Sequence, residues 1–472
     1  MNQKTFYITT TLPYVNADPH IGFAKEIVEA DVLARFHREL GDEVFFNTGV
    51  DEHGLKIFRK AEELGIEPQA YCDQKAPEFD KLKTALNLSY DSFIRTTDAH
   101  HVAAAQEFWR RCEKNGDIYK KNYSVKYCVG CELEKTESEL VDSRCPLHPN
   151  AELELIEEEN YFFKFSTYQE KLLEFYAKNP DFVLPKKRFN EIRSFVEGGL
   201  EDFSISRLKS KMSWGVPVPG DEDHVMYVWF DALVNYISTL GWPSETGNFE
   251  KFWPGAQVCG KDNLRQQAAM WQAMLMSASV PNSAQIFVNG FITVDGKKMS
   301  KSVGNVISPL EMVEKFGVDA TRYLLLSGAS FGEDFDITWE KMTEKYNADL
   351  ANGLGNLLSR VITLAQNFEF RISNFESSSN DEMSKLIEKM ELGQALDYIW
   401  KIISDDNKFM GEKKPWELKK NDEQEFEKVM QKLLQDLNLI SELLVPFMPE
   451  TSAKIKTALE TKKVEPLFLR IK

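Results

Sequence analysis

A strand–helix–strand pattern at the start of the chain restricts the possible folds more than any other feature. The β-branched and aromatic run Thr5–Thr10 predicts a strand, and a turn cluster at 16–19 separates it from a helical pattern over 20–40. Gly41 suits the end of that helix, and residues 43–50 predict a second strand. Two strands joined by a crossover helix form a βαβ unit, so we predict an α/β fold with a doubly wound parallel sheet.

The sheet pattern is interrupted, then resumes, and gives way to helices. Residues 120–159 are rich in Cys, Gly, Pro and acidic residues with poor periodicity, which indicates a small insertion. Runs at 225–230, 256–259 and 285–289 predict further strands, and from about residue 338 apolar residues recur at helical spacing. These patterns predict five segments: a first sheet half over 1–119, the insertion over 120–159, the rest of the insertion with the second sheet half over 160–295, a loop and connecting stem over 296–345, and a helical domain over 346–472.

Composition excludes several classes of protein. The 472 residues are 43% hydrophobic and 28% charged, which is ordinary globular composition. No apolar run is long enough to cross a membrane and no signal peptide is visible, so we expect a cytoplasmic protein. The net charge of −17 argues against non-specific nucleic-acid binding, although it leaves room for a specific RNA partner on a local basic patch.

Four residues in the insertion have the spacing of metal ligands. Cys128-x-x-Cys131 and Cys145-x-x-His148 are two chelating pairs separated by about a dozen residues. Such pairs can surround one tetrahedral ion, and three Cys with one His form a closed, structural zinc set. We therefore predict one structural Zn²⁺ that folds an insertion with little core of its own. Reduced thiols without a metal are the alternative.

Two segments have the chemistry of a phosphate-binding site. The run HIGF at 20–23 stands where the predicted helix begins, and unpaired N–H groups there attract phosphate while glycine admits a ligand close to the backbone. The run GKKMSKSVGN at 296–305 places paired lysines between glycines, and such lysines can follow the charge that moves to a leaving pyrophosphate. Taken singly, the first run could be a helix cap and the second a solvated basic loop.

Together these two segments resemble the signature motifs of class I aminoacyl-tRNA synthetases. HIGF at 20–23 corresponds to the first signature, and KMSKS at 298–302 corresponds to the second. Four more runs resemble methionyl-tRNA synthetases in particular: TTTLPY at 9–14, GVDEHG at 49–54, WGVPVPG at 214–220 and YVWFDAL at 227–233. The resemblance extends over essentially the whole chain, and several motifs in the family's order are more specific than any one of them.

The resemblance implies a reaction in two steps and a set of residues for it. L-methionine and Mg²⁺-bound ATP would form methionyl-adenylate, and the methionyl group would pass to the terminal ribose of tRNA(Met). The catalytic residues would be His20, Gly22, Lys298, Ser300 and Lys301, and Phe23 and Asp262 would join His20, Gly22, Lys298 and Lys301 in binding ATP. The methionine pocket would comprise Leu12, Tyr14, Asp51, Trp229, Ala232, Leu233, Tyr236 and Gln267, with Asp51 on the ammonium group. Asn356 and Arg360, spaced i and i+4 on one helix face, would contact the anticodon.

Several positions depart from the pattern of the family. Phe23 stands where the first signature normally has a second His, and Asn289 stands where a His commonly precedes Gly290. Gln266-Gln267 replaces the usual Phe-His, which affects the expected methionine pocket. Lys456 stands where many relatives have a Trp near the anticodon, and we interpret Trp416 as a packing residue.

Three alternative functions remain. The isoleucine, valine and leucine synthetases need a large editing insertion, and the insertion here is short. A nucleotidyl transferase that does not use tRNA would leave the helical part without a purpose. A catalytically silent RNA-binding paralogue is disfavoured because His20, Lys298 and Lys301 are present. We expect a monomer, because no appended domain follows the helical part.

Overall fold

A computed structural model describes residues 4–131, 133–135, 139–244, 247–299, 304–328, 330–366, 381–463 and 465–472. The strands are β1 (Thr5–Thr10), β2 (Glu43–Val50), β3 (Ser92–Arg95), β4 (Ile118–Cys128), β5 (Leu133–Lys135), β6 (Glu154–Phe163), β7 (Val183–Leu184), β8 (Phe203–Ser204), β9 (Ser206–Leu208), β10 (His224–Met226), β11 (Ala256–Gly260), β12 (Gln285–Asn289), β13 (Ile292–Val294), β14 (Lys297–Lys298) and β15 (Phe335–Asp336).

Helices cover both faces of the sheet and form the carboxyl-terminal part. They are α1 (Ile21–Glu39), α2 (Leu55–Leu64), α3 (Pro68–Asp80), α4 (Leu82–Ala85), α5 (Ala99–Lys114), α6 (Gln169–Lys178), α7 (Lys186–Glu197), α8 (Val228–Ala232), α9 (Asn235–Ser238), α10 (Phe249–Phe252), α11 (Trp271–Ser277), α12 (Pro309–Phe316), α13 (Val318–Leu326), α14 (Trp339–Lys345), α15 (Asn356–Ala365), α16 (Asp381–Glu388), α17 (Leu392–Lys413), α18 (Pro415–Asn421), α19 (Glu423–Leu443) and α20 (Pro449–Thr461). Two π-helical segments, Gln266–Met270 and Tyr346–Gly355, precede α11 and α15. Among the described residues, no helix combines the length and the apolar character that crossing a membrane requires.

The central sheet has six parallel strands in the order β3-β2-β1-β11-β12-β7. The predicted doubly wound parallel sheet is therefore confirmed. The chain proceeds outward from β1 to β3 on one side and from β11 to β12 on the other, where β12 pairs with the earlier strand β7. Between β1 and β11 the winding reverses, and open α/β sheets bind their ligands in the crevice at the carboxyl ends of strands at such a point.

The insertion is built on a long antiparallel ribbon. β4 and β6 pair continuously from Ile118 opposite Phe163 to Tyr127 opposite Glu154, and β5 and β8 extend this ribbon into a four-stranded sheet. The mixture of Cys, Gly and acidic residues hides the strand periodicity of this part of the sequence. The ribbon carries Cys128, the last residue of β4, to its far end.

The strand predicted over 225–230 is wrong for its second half. β10 ends at Met226 and pairs with β9 outside the central sheet, and α8 begins at Val228. The Phe230 N–H donates to the Tyr227 carbonyl oxygen at 2.9 Å, which turns the chain into this helix. A short apolar run fits either a buried strand or a buried helix, so its pattern alone does not distinguish the two.

A buried ion pair, together with the hydrogen bonds of its arginine, joins the sheet-containing part to the helical carboxyl-terminal part. Arg322 of α13 and Asp31 of α1 are both inaccessible to solvent, and Arg322 Nη1 lies 2.8 Å from Asp31 Oδ2. Arg322 also donates to the carbonyl oxygens of Leu86, Pro446 and Phe447 at 3.0, 2.9 and 2.7 Å. Although burial raises the pKa of the Asp31 carboxyl, Arg322 and Arg35 hold it below its usual value.

We predict that Arg322→Leu lowers the free energy of unfolding by about 3–5 kcal/mol, because it leaves a buried carboxylate and three carbonyl oxygens without this cation. Denaturant titration measures the change. The matched control is Lys60→Ala, which removes an exposed pair with Glu63 and should leave the free energy of unfolding unchanged within error. Equal effects of the two substitutions would contradict the role given to Arg322.

Candidate functional site

The first residues of α1 form a helix N-terminus that opens into a cleft. His20 is the N-cap, and its Nδ1 accepts a hydrogen bond from the Gly22 N–H at 3.0 Å. A Cβ on Gly22 would lie 2.8 Å from His20 Cε1, so glycine is required for this arrangement. The Gly22 N–H is thereby paired, and the Ile21 N–H donates to the Ile307 carbonyl oxygen at 3.2 Å. The helix start therefore presents the imidazole and the positive end of the helix dipole to one region, which suits an anionic ligand.

A cleft of about 470 Å³ lies at the carboxyl ends of β1, β11 and β12. His20, Gly22 and Asp262 line it, as three of the residues predicted to bind ATP. Phe23 also lines this cleft, but its ring is largely buried and packs edge-on against Phe79 with centroids 5.9 Å apart. Phe23 therefore contributes an apolar surface at the position where the first signature motif of the family normally has a His. Lys298 lies on β14, whereas Ser300 and Lys301 lie outside the described residues.

A smaller cavity of about 70 Å³ adjoins the cleft, because Thr11, Leu12, Tyr14, Trp229 and Asn263 line both. The structure brings together all eight residues of the expected methionine pocket around it. They are Leu12, Tyr14, Asp51, Trp229, Ala232, Leu233, Tyr236 and Gln267. Four separate segments of the chain contribute these side chains.

The carboxylate of Asp51 is buried beside this cavity in a fixed orientation. Its backbone pairs with the segment after β1, where the Asp51 N–H donates to Pro13 O at 3.0 Å and Val15 N–H donates to Asp51 O at 3.3 Å. Its Oδ1 accepts from Thr96 Oγ1 at 3.5 Å and from the His53 N–H at 3.4 Å. An oriented, buried carboxylate suits a ligand cation.

The inner end of the small cavity is polar but uncharged. Gln267 Nε2 donates to the Tyr236 hydroxyl, and Gln257 Nε2 donates to Gln267 Oε1 at 3.1 Å. The hydroxyl of Ser283 in turn donates to Gln257 Oε1 at 2.6 Å. This chain of hydrogen bonds fixes the amide of Gln267, and the π-helical turn at Gln266–Met270 places it there. Burial raises the pKa of Tyr236 well above its usual value, so the end of the cavity stays neutral.

Glu26 lines the large cleft and binds Thr11, a residue of the segment after β1 that lines both cavities. Its Oε1 accepts hydrogen bonds from the N–H and the hydroxyl of Thr11, the first at 2.8 Å. Burial raises the pKa of Glu26 from 4.5 to about 8, and the charges of Asp262 and Glu29 add to the rise while Thr11 opposes it. A mostly protonated Glu26 therefore keeps one negative charge out of the cleft near neutral pH.

Cys128, Cys131, Cys145 and His148 meet as predicted, with their ligand atoms all within 4.8 Å of one another. His148 Nδ1 lies 3.2 Å from Cys131 Sγ, and the Sγ atoms of Cys131 and Cys145 lie 3.5 Å apart. Atoms bound tetrahedrally to one zinc lie about 3.3–3.8 Å apart, so this set could hold a metal ion. A Cβ on Gly130 would lie 2.5 Å from the His148 ring, which shows how closely the turn surrounds the ligands.

The expected anticodon contacts lie on α15, and the structure adds an aromatic residue to them. Asn356 is exposed, and Arg360 stands one turn further along the helix. The guanidinium carbon of Arg360 lies 5.3 Å from the centroid of the Trp416 ring, and Trp416 is 40% exposed. Trp416 therefore packs against Arg360 while leaving part of its ring exposed to solvent. Lys456 lies on α20, where its charge opposes the burial that raises the pKa of Glu39.

Comparison with known proteins agrees with this geometry. The family model for class I (M) tRNA synthetases matches residues 6–152 and 130–362, and the model for the anticodon binding domain of methionyl tRNA ligase matches residues 364–466. The chain belongs to the methionyl-tRNA synthetase family. The fold class and the enzyme class predicted from the sequence are confirmed by this membership.

Individual members of the methionyl-tRNA synthetase family resemble the chain over most of its length. The methionine–tRNA ligase of a Nostoc species is 42% identical over 96% of this chain and 89% of its own, and that of Rickettsia bellii is 41% identical over 98% and 94%. The Mycobacterium tuberculosis methionyl-tRNA synthetase in complex with methionyl-adenylate superposes with a TM-score of 0.90 at 38% identity, covering 96% of this chain and 93% of that one.

Sequence reasoning missed the polar residues behind the two cavities. Gln257 has no motif around it. Lys25 and Glu26 follow the HIGF run, but they lie in a helical run where charged residues usually face solvent. The run of α1 from Ala24 to Ala34 is buried on all sides, which its mixed composition does not reveal. Trp416 carried one usable signal, since it follows Lys413-Lys414-Pro415 and large aromatic side chains next to cations often serve nucleic-acid binding.

We predict that the free energy of unfolding falls as pH rises between about pH 5.5 and 7.5, by up to about 1.4 kcal/mol per pH unit from Glu26. The sign follows because the folded state keeps a proton that the unfolded state releases above the usual pKa of 4.5. Glu26→Gln keeps the acceptor for Thr11 and should flatten this slope. Thermal unfolding across pH measures it, and an unchanged slope in the variant would contradict the assignment to Glu26.

Proposed function

We propose that the chain, as a methionyl-tRNA synthetase, divides its reaction between the two adjoining cavities. The smaller cavity binds methionine, and the larger cleft binds Mg²⁺-ATP. The observation that carries this proposal is the convergence of Asp51, Trp229, Tyr236 and Gln267 on one small cavity that opens into the cleft at the N-terminus of α1.

In the activation step, a carboxylate oxygen of methionine attacks the α-phosphorus of ATP. The bond from this phosphorus to the bridging oxygen breaks, pyrophosphate leaves, and methionyl-adenylate forms. His20 and the positive end of the α1 dipole would stabilise the phosphoryl oxygens. By resemblance to the family, Lys298, Ser300 and Lys301 would interact with the leaving pyrophosphate, and Asp262 would hold the ribose.

Selection of methionine combines one ionic contact with an apolar slot. Asp51 would bind the ammonium group, because its carboxylate is buried and already oriented. Leu12, Trp229 and Leu233 surround the side chain, and the polarizable thioether gains about 0.3–1.5 kcal/mol from each sulfur–aromatic contact. The neutral amide of Gln267 closes the slot where relatives commonly have a His. A cavity of about 70 Å³ excludes larger side chains by shape.

The Cys₃His cluster would hold one structural Zn²⁺. The three thiolates and the imidazole fill a tetrahedral shell and leave no position for a substrate. Their role is to fix the far end of the ribbon, where Gly130, Cys131 and His148 form part of the rim of the large cleft. The residues of the insertion thereby acquire a defined position relative to the ATP site.

In the transfer step, a hydroxyl group of the terminal ribose of tRNA(Met) attacks the methionyl carbonyl carbon, and AMP leaves. Anticodon binding by the helical domain selects this tRNA. Asn356 would read a base edge, and the exposed face of Trp416 beside Arg360 would stack on an unpaired base. The enzyme would act as a monomer in the cytoplasm.

Aminoacylation of tRNA(Met) transcripts tests the assignment of the helical domain. We expect Trp416→Leu and Arg360→Gln to raise the KM for tRNA by about tenfold or more, because loss of base stacking costs about 1–3 kcal/mol. Methionine-dependent ATP–pyrophosphate exchange needs no tRNA and should be unchanged in both variants. Trp416→Phe should restore part of the tRNA affinity.

The matched control is Arg193→Gln, which removes an exposed arginine of α7 that pairs with Glu197. It should leave both activities unchanged. A wild-type KM for tRNA in the Trp416 and Arg360 variants would show that the anticodon binds elsewhere. Equal loss of exchange and aminoacylation would show that these residues support the fold.

A further inference from the structure

Three polar side chains form a buried cluster on the floor of the large cleft, and none of them belongs to the residues assigned above. Lys25, Glu29 and Asn289 are only 7%, 4% and 4% exposed. The ammonium group of Lys25 pairs with Glu29 Oε1 and lies 3.1 Å from Asn289 Oδ1. Asn289 Nδ2 donates to Glu29 Oε2, which closes a ring of three contacts.

This cluster joins the two walls between which the nucleotide would lie. Gly22, Lys25 and Glu29 are spaced i, i+3 and i+7, so they share one face of α1, and Lys25 lies one turn below the phosphate-binding end. Asn289 is the last residue of β12, and Gly290 follows it directly along the cleft. Lys25 and Asn289 both line the cleft themselves.

The chemistry of the cluster explains why its members depend on one another. A buried ammonium group or carboxylate is costly unless it is paired and hydrogen-bonded. Glu29 and Asn289 together satisfy two donors of Lys25, and Asn289 bridges the pair with both ends of its amide. Loss of any member leaves the other two incompletely paired, so the distance between α1 and the end of β12 would no longer be fixed.

We propose that the Lys25–Glu29–Asn289 cluster positions the two walls of the cleft for ATP binding, with Lys25 and Asn289 as positioning residues. This proposal rests on the proposed function, because it takes the large cleft as the ATP site. It assigns a role to Asn289 at a position where the family commonly has a His. The small cavity does not contact the cluster, so the effect should fall on ATP and spare methionine.

Methionine-dependent ATP–pyrophosphate exchange, with ATP and methionine varied separately, tests the proposal. Lys25→Met and Asn289→Ala should each raise the KM for ATP by about tenfold, while the KM for methionine changes by less than about twofold. The double variant should be little worse than the more damaging single variant, because both substitutions break the same cluster. Lys60→Met, which alters an exposed lysine of α2, is the matched control and should behave as wild type.

Two results would overturn the proposal: a wild-type KM for ATP in folded variants, or a parallel rise of both KM values. Additive effects in the double variant would likewise show that the residues act independently. If Lys25→Met does not fold, Asn289→Ala alone decides, since it removes one amide at the end of a strand. Wild-type protein that fails to exchange would contradict the proposed function instead, and equilibrium binding of ATP to the same variants would still test the cluster.

Discussion

The buried pair between Arg322 and Asp31 is the interaction on which the relative placement of the sites depends. Asp31 lies in the middle of α1, whose first residues line the large cleft. Arg322 simultaneously donates to Pro446 and Phe447, which precede the last helix of the helical domain. One guanidinium thus fixes the helix of the active site to the domain that would bind the anticodon. A hydrophobic contact could supply similar stability, but it would not impose this orientation.

The helix α1 contributes side chains to the cleft, and it also contacts the central sheet and the helical part. His20 and Gly22 form its start, Lys25 and Glu29 anchor it to β12, Glu26 holds the segment after β1, and Asp31 receives Arg322. A surface helix would have these charged residues in water. Here Lys25, Glu26, Glu29 and Asp31 are each buried with a specific partner. The residue type at these positions is therefore explained by the contacts of the side chain more than by helix propensity. This arrangement costs stability at Glu26, whose raised pKa reflects the burial of its carboxyl group.

The sequence allowed prediction of features that depend on local pattern or on motif spacing. The first βαβ unit follows from periodicity, and the cluster of Cys128, Cys131, Cys145 and His148 follows from two C-x-x-C-like pairs. The eight residues around the small cavity were accessible only through resemblance, because they come from distant segments that no pattern links. The pairing of Arg322 with Asp31 and the Lys25 cluster were not predictable, since a charged residue in a helical run signals an exposed face unless its partner is known. Helix α8 was mistaken for strand because a short apolar run fits both structures.

In the proposed function, the small cavity selects methionine, and ATP bound in the adjoining cleft converts it to methionyl-adenylate. Amino-acid-dependent ATP–pyrophosphate exchange measures this most directly, with purified protein, each of the standard amino acids and homocysteine. The account predicts exchange dominated by methionine and strongly reduced by Asp51→Asn through a higher KM for methionine. Exchange driven mainly by another amino acid, or folded protein without any exchange, would contradict it.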